Sequence, residues 1–576
     1  MQKIRLRLVR QHAPWLVAAA VFGVCAWLTA WQEPEHEQQA FVLALLFCTF
    51  GMLLFAFGRV AIALVLSGGL FLALKSLSVL KLRYLDSPLE AADFIYYVRT
   101  SLWDTVRRYP HLLGLGITLI LVVPPLLWLI WRWDLRVFPR VRRGVRLLLR
   151  AAGVAVFALF FEFCLWPAGP FAAVHARGVW EKLSDDAQLT NFFVNINDER
   201  VSMPAMSDDA TAAAAWQGST AGRPGVRPAP YPDIVQVLEE STFDPADFDA
   251  CTVPYCHVAM LGVDANTRGH GMLRVHTFGG GTWVSEFAAL TGMPHDIFGP
   301  GGSYAPFVLA PHVHDSLPLQ LKRLGYLTVA IYPTNGAFLN GRNAYQFYGV
   351  DHMYDAIQLK MDEWEQSDTQ MFQAAKQVYD QLTRDGTRKP GQPVFMMILT
   401  INQHGPHNID PRPTLPPPFN HPVLQGLDTA SAFNFDTYLA RLRDSDTGMQ
   451  LLEHDFLQRS QPTLLVHFGD HQPSFDGLIR PLQRHLPDGL RPYQDYLTYY
   501  TVKTNFPTAP LPSYPMLDIA YLPGMVLQAA GLPEDAYFTA NTMLRDRCNG
   551  LYMDCPLTDL IKSYHGWIFG HLHVYQ

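Results

Sequence analysis

Five long apolar runs fill the first 170 residues, and no other feature limits so strongly what this chain can fold into. The first two, "PWLVAAAVFGVCAWLTAW" (14–31) and "AFVLALLFCTFGMLLFAFG" (40–58), approach the ~20 residues that a helix needs to cross the hydrocarbon of a bilayer. Three more follow, at about 60–80 with Lys75 inside it, at 111–131 with Pro124-Pro125 as a kink, and at about 147–167. No small-residue cleavage site follows Trp31, so the first run reads as a span and not as a removable signal peptide. Lys3, Arg5, Arg7 and Arg10 precede span one, and Arg132, Arg136, Arg140, Arg142, Arg143 and Arg146 lie between spans four and five. Both basic segments belong on the cytoplasmic side, and an odd number of spans then places everything beyond about residue 170 across the membrane.

Cysteine usage agrees with that placement. Cys25, Cys48 and Cys164 fall in spans, whereas the other four form two close pairs, Cys251 with Cys256 and Cys548 with Cys555. An oxidising compartment favours two small disulfide loops over a zinc knuckle, for which neither pair has CxxC spacing. The formal charge of −7 is too modest for a chain of 576 residues to specify a partner, and a site outside the cytoplasm argues against nucleic acid.

Between spans three and four, "SPLEAADFIYYVRTSLWDTVRRYP" carries Ser87, Pro88 and Glu90 in the order of a capping box, which predicts a helix over about 87–105. Phe94, Val98 and Leu102, with Tyr96, Tyr97 and Trp103, suit either the membrane interface or packing on the bundle. Residues 171–231 read as connecting helices followed by an Ala/Pro/Gly-rich linker, between a transmembrane domain at 1–170 and an extracytoplasmic domain at 232–576. In that last part "DIVQVLEE", "LTVAIYPT", "VFMMILT" and "TLLVHFGD" look like buried strands, separated by amphipathic stretches such as "TQMFQAAKQVYDQL". The alternation predicts an α/β domain with a mostly parallel sheet.

In such sheets ligands bind beyond the carboxyl ends of the strands. Those ends deliver Glu239 and Glu240, then His404 and His407, then Asp470 and His471. Neighbouring residues on an extended chain face opposite ways, so one glutamate of the pair points into the site. Carboxylates and imidazoles converging there would suit zinc or manganese. In "HTFGGGTWVSEFAALTG" (276–292) three glycines allow close backbone approach, and a helix beginning at Thr282 would aim free N–H groups at a phosphate.

The strings "LEES", "GGGTWVSEFAALTG", "NQHGPH" and "FGDHQPS" resemble, in that order, the motifs of the lipoteichoic acid synthase and phosphoglycerol transferase group of the alkaline phosphatase and sulfatase superfamily. The resemblance covers most of 232–540 and extends to the five-span N-terminal part. It implies an alkaline phosphatase/sulfatase-like fold and one divalent metal, manganese or zinc with magnesium as a third candidate, held by Glu240, Thr282, Asp470 and His471. Glu240 is preferred to Glu239 because the family pattern is Glu followed by Ser, here Glu240-Ser241. Arg342, His404, His407 and Trp283 are implied to contact the substrate, although Asn340-Gly341 stand where the family more often has an aromatic residue.

The implied chemistry is attack by Thr282 on the phosphodiester of a phospholipid headgroup, with release of diacylglycerol. A hydroxyl of an envelope glycan or glycolipid then resolves the phosphothreonine-type intermediate, with His404 shuttling a proton. Phosphatidylglycerol is the expected donor and phosphatidylethanolamine the alternative. A sulfatase-like or phosphodiesterase hydrolase is a further alternative, but "CTVPYC" does not fit the C-x-P-x-R needed for formylglycine. The expected location is the inner membrane of a bacterium, with the catalytic domain in the periplasm or outside.

Overall fold

The computed structural model describes residues 2–85, 88–96, 110–134, 136–137, 141–176, 187–194, 196, 201–227, 229–408, 412–475 and 477–576. Two units result: Met1–Arg83 with Ser87–Glu199, and Tyr84–Asp86 with Arg200–Gln576.

Five long helices make the first unit: α1 (Gln2–Leu28), α2 (His36–Phe57), α3 (Val60–Leu85), α4 (Pro110–Trp133) and α5 (Arg143–Leu165). Each is long and apolar enough to cross a membrane, α3 included despite Lys75, and α4 runs on through Pro124 and Pro125. Where α2 meets α5, a Cβ on Gly51 would collide with the ring of Phe157, and one on Gly153 with the ring of Phe55. Small residues therefore let these two helices approach closely, as lipid-embedded helices commonly do. The short helix after α3 is described over 91–96, later than the capping box predicts. Asp93 accepts from the Glu90 N–H at 2.7 Å, which closes the start of this helix at Glu90. Ser87, Tyr97, Val98, Leu102, Trp103 and Arg140 lie outside the described residues.

The second unit is built on one sheet, β1 (Asp233–Glu239), β2 (Thr267–Arg274), β3 (Leu327–Tyr332), β4 (His352–Asp355), β5 (Val394–Leu399), β6 (Thr463–Gly469), β7 (Leu497–Thr504) and β8 (Leu517–Asp518). Their spatial order is β4-β3-β5-β1-β6-β7-β2-β8. Strands β4, β3, β5, β1 and β6 run parallel, and β7 pairs antiparallel with both β6 and β2. Every residue of β1, β3, β5 and β6 is buried, which is why these four read in the sequence as unbroken apolar runs. Register aligns Leu238 with Leu399 of β5 and with Phe468 of β6, so the three strands end level, at one edge.

On β1, Ile234 and Leu238 pack in one core and Val235 and Val237 in the other. Alternation therefore sends Glu239 and Glu240 to opposite faces. At the far end of the strand, Asp233 receives the Val394 N–H at 2.9 Å, the Tyr379 hydroxyl at 2.6 Å and the guanidinium groups of Arg388 and Arg459. This network ties β1 to β5 at their amino ends.

The segment read as a linker contains α6 (Asp209–Trp216), whose first turn is capped by Asp208. Trp216 is fully buried, donates from Nε1 to Ser563 Oγ at 3.1 Å and meets the Tyr564 ring at 5.3 Å. These residues clad the second unit and do not act as a free spacer: an Ala-rich helix needs only one large side chain to anchor it. Both expected disulfides are formed, Cys251–Cys256 and Cys548–Cys555, and the zinc-knuckle alternative falls away.

Candidate metal centre

Strand β1 ends in a sharp bend. Ser241 adopts φ 48°, and its N–H reaches Asp470 Oδ1 at 2.7 Å, the same oxygen that receives the His471 N–H at 2.7 Å. The Glu240 N–H donates to Thr400 Oγ1 just beyond β5, at 3.0 Å. Three adjacent strand ends are thus joined through one another's backbone. Glu240, Asp470 and His471 are buried and bring their ligand atoms within 4.8 Å of one another.

Thr282 completes the group. It opens α7 (Thr282–Thr291), and its Oγ1 donates to Glu240 Oε2 at 3.0 Å and lies 3.4 Å from His471 Nε2. Glycines set its position. Gly281 takes φ 86°, and a Cβ there would come within 2.8 Å of Thr277 Oγ1, so only glycine fits. No side chain caps α7, which leaves its first N–H groups for an anion. Ser285, one turn into α7, donates to the Asp470 carbonyl at 2.7 Å, and the Gln472 carbonyl accepts from the Gly279 N–H at 3.0 Å. The glycine loop before Thr282 and the loop after β6 therefore hold each other.

The donor set fits a divalent cation on three grounds. Asp470 Oδ2 is buried without a hydrogen-bond partner. His471 Nδ1–H donates to the Gln472 carbonyl at 3.1 Å, which leaves Nε2 as a lone-pair donor facing the carboxylates. Burial also lowers the His471 pKa, favouring the neutral ring, and burial with the neighbouring Glu240 charge raises Asp470 well above the ordinary carboxylate range. A cation would neutralise the two carboxylates at once.

The other expected site residues divide. His404 sits beyond β5 on the same edge, half-buried, with its ring 5.4 Å from Trp364 and Nδ1 2.7 Å from the Gly405 carbonyl oxygen. Arg342 follows β3 on the same edge, and its guanidinium binds Asp355 at 2.5 Å, the Met353 carbonyl at 3.0 Å and Gln358 at 3.1 Å while remaining 42% exposed. Trp283, next to Thr282, commits its indole N–H to the Ser303 carbonyl at 2.7 Å. His407 does not face the site. It is buried between the rings of Tyr438 and Phe475, at 5.9 and 5.0 Å, and burial holds its pKa well below the ordinary histidine value.

Two acidic residues near the centre escaped the sequence reading. Glu286 lies one turn after Thr282 on the same face of α7. Burial, reinforced by the charges of Asp470 and Glu240 and opposed by the neighbouring Tyr345 hydroxyl, pushes its pKa up to about 8. Asp368 opens α8 (Asp368–Arg384) beneath the end of β5. The i,i+4 spacing from Thr282 was a usable signal for Glu286; nothing in the sequence signalled Asp368.

Residues 232–506 match the sulfatase family model. An uncharacterized protein of Haemophilus influenzae is 27% identical over 581 residues, spanning 96% of this chain and 98% of that protein. Among solved structures, the Streptococcus pyogenes phosphoglycerol transferase GacH, in complex with sn-glycerol-1-phosphate, is similar over 66% of this chain and 99% of its own (TM-score 0.48, 16% identity). The Neisseria meningitidis lipooligosaccharide phosphoethanolamine transferase A, an integral membrane protein, is similar over 89% of this chain and 95% of its own (TM-score 0.47, 12% identity).

Proposed function

We propose that this chain, whose residues 232–506 match the sulfatase family model, is a membrane-anchored transferase. It would move the phosphoglycerol headgroup of phosphatidylglycerol to a hydroxyl of an envelope glycan or glycolipid, through a covalent intermediate on Thr282. One observation carries the reading: a threonine hydroxyl at an uncapped helix start lies 3.0 Å from Glu240 and 3.4 Å from His471, inside a buried cluster with Asp470. Manganese or zinc bound by Glu240, Asp470, His471 and Thr282 would acidify the hydroxyl and offset charge on the phosphoryl oxygens.

The chain's own residues account for the rest. Glu240 Oε2 accepts the Thr282 proton along an existing hydrogen bond. Thr282 Oγ1 then bonds to phosphorus as the bond from phosphorus to the diacylglycerol oxygen breaks, and that oxygen leaves with a proton from His404. The free N–H groups of α7 receive the phosphoryl oxygens. In the second half-reaction an acceptor hydroxyl attacks phosphorus, His404 takes its proton, and Thr282 leaves as it recovers its own proton from Glu240. Arg342, held in place by Asp355, presents a partly exposed cation on the same edge for the donor's phosphate.

Membrane anchoring follows from the donor: a lipid headgroup is reached by a catalytic unit that stays at the bilayer surface. Two disulfides and the basic segment before α5 support placing that unit outside the cytoplasm, in the periplasm of a bacterium with the five helices in its inner membrane.

Headgroup-labelled lipids offered to the full-length protein in vesicles test the reading. Diacylglycerol release from phosphatidylglycerol that requires added manganese or zinc, and is abolished in Thr282→Ala, is the expected result. Release from phosphatidylethanolamine alone would replace the donor. Release of free headgroup phosphate at the same rate with and without a glycan acceptor would make the protein a hydrolase.

A further inference from the structure

Glu239 is the glutamate that faces away, and its surroundings are not those of a spare surface residue. It is fully buried, and Oε2 lies 3.1 Å from Nε2 of His467, a β6 residue three positions before Asp470. The Tyr499 hydroxyl, on β7, lies 3.0 Å from the same nitrogen. Glu239 Oε1 makes no hydrogen bond of its own, and Asp368 and Ser445 lie beside the carboxyl.

Asp368 extends the connection. Its Oδ1 accepts the N–H groups of Ile401 at 3.3 Å and Asn402 at 3.2 Å, and its Oδ2 accepts from Ser445 Oγ, which in turn receives Gln403 Nε2 at 3.2 Å. Ser445 belongs to α9 (Thr429–Leu457). The network therefore touches each of three strand ends within a few residues of a site group: Glu239 beside Glu240, Gln403 beside His404, and His467 shortly before Asp470 and His471.

We infer that Glu239, Asp368 and His467 form a positioning layer on the opposite face of the sheet, which fixes the separation of Glu240 from Asp470 and His471 and so sets the affinity of the centre for its cation. The inference rests on the reading of Glu240, Asp470 and His471 as metal ligands. A strand-end glutamate with this role explains the doubled Glu239-Glu240: one carboxylate ligates, and the other clamps the strand that carries it. Glu239, Asp368 and His467 touch neither substrate nor metal, so they are positioning residues.

The experiment measures manganese binding to the full-length protein in detergent, by calorimetry and by the electron paramagnetic resonance line shape of bound Mn²⁺. Glu239→Ala is expected to weaken binding about tenfold or more and to broaden the spectrum, by the usual effect of losing a group that orients a ligand. Glu239→Gln, which keeps the shape of the side chain and its contact with His467, is expected to stay within about threefold of the parent protein. Tyr499→Phe removes one hydroxyl with no change in packing, and a threefold or greater loss is expected there even if Glu239→Ala fails to fold. Binding within twofold of the parent in either Glu239→Ala or Tyr499→Phe would overturn the inference. So would a Glu239→Gln protein as weak as Glu239→Ala. Glu240→Gln separates the two readings: if it binds manganese normally, the ligand assignment itself is wrong.

Discussion

Replacing His276 should turn a pH-dependent part of the catalytic unit's stability into a constant. His276 stands at the base of the glycine loop, and its ring is clamped between Asp296 at Nδ1 and Asp518 at Nε2, each at 3.0 Å. Asp296 also binds His295 at 2.9 Å, so the clamp joins the start of the glycine loop to the residues that follow α7. Burial opposes a charge on this imidazole, but the Asp518 and Asp296 carboxylates outweigh it and raise its pKa from 6.5 to about 9. The folded value exceeds the unfolded one, so the stabilisation is complete below about pH 6.5 and disappears as pH rises through about 9. A gap of that size corresponds to about 3 kcal/mol, of which about 2.5 remains at pH 7 and almost none at pH 10. The His276 and Asp518 side chains are only 2% and 1% exposed, so solvent screens that pair little, whereas Asp296 at 28% contributes less than its distance implies. Thermal unfolding of the full-length protein and of His276→Gln, followed side by side from pH 6 to 10, provides the assay. For a unit of this size the parent should melt about 3 °C higher at pH 7 and at the same temperature at pH 10. An equal difference at both pH values would refute the ion-paired clamp.

Three other outcomes follow from the geometry. Gly281→Ala should destabilise the unit by about 1–3 kcal/mol and displace Thr282, because the loop needs a positive φ and has no room for a Cβ; diacylglycerol release should fall well beyond the loss of folded protein. Trp216→Ala should cost about 3–5 kcal/mol in denaturant unfolding of the second unit, whereas a spacer residue would cost close to nothing. Reducing both short disulfide loops should cost about 2 kcal/mol each, read as a lower melting temperature in reductant that is absent in a variant lacking all four cysteines.

How much of this was legible depended on whether a residue's partners are near it in sequence. Strands β1, β3, β5 and β6 were readable because burial on both faces makes each a continuous apolar run. Strand β2, "TRGHGMLR", was not: its Gly269 and Gly271 and its mostly half-exposed residues satisfy no strand pattern until β7 pairs with it. That Glu240, Asp470, His471 and Thr282 would come together was expected from residue type and strand position, and the structure places them side by side. His407 misled because a histidine in "NQHGPH" looks the same whether it faces solvent or an aromatic core. Trp216 anchors its helix against Ser563 and Tyr564, about 350 residues away, so a composition of Ala, Gly and Pro could not reveal that the segment is fixed. For Glu239 the sequence told only that it faces away from Glu240; Asp368 and His467 come from distant elements.

Peptide-mapped mass spectrometry of the full-length protein, quenched during turnover of phosphatidylglycerol in manganese-containing vesicles, tests covalent transfer through Thr282 most directly. A glycerophosphoryl group on Thr282 that forms without acceptor and disappears when a glycan acceptor is added is the predicted result. Diacylglycerol release at full rate with Thr282 unmodified at every quench time, or release that persists in Thr282→Ala, would contradict it.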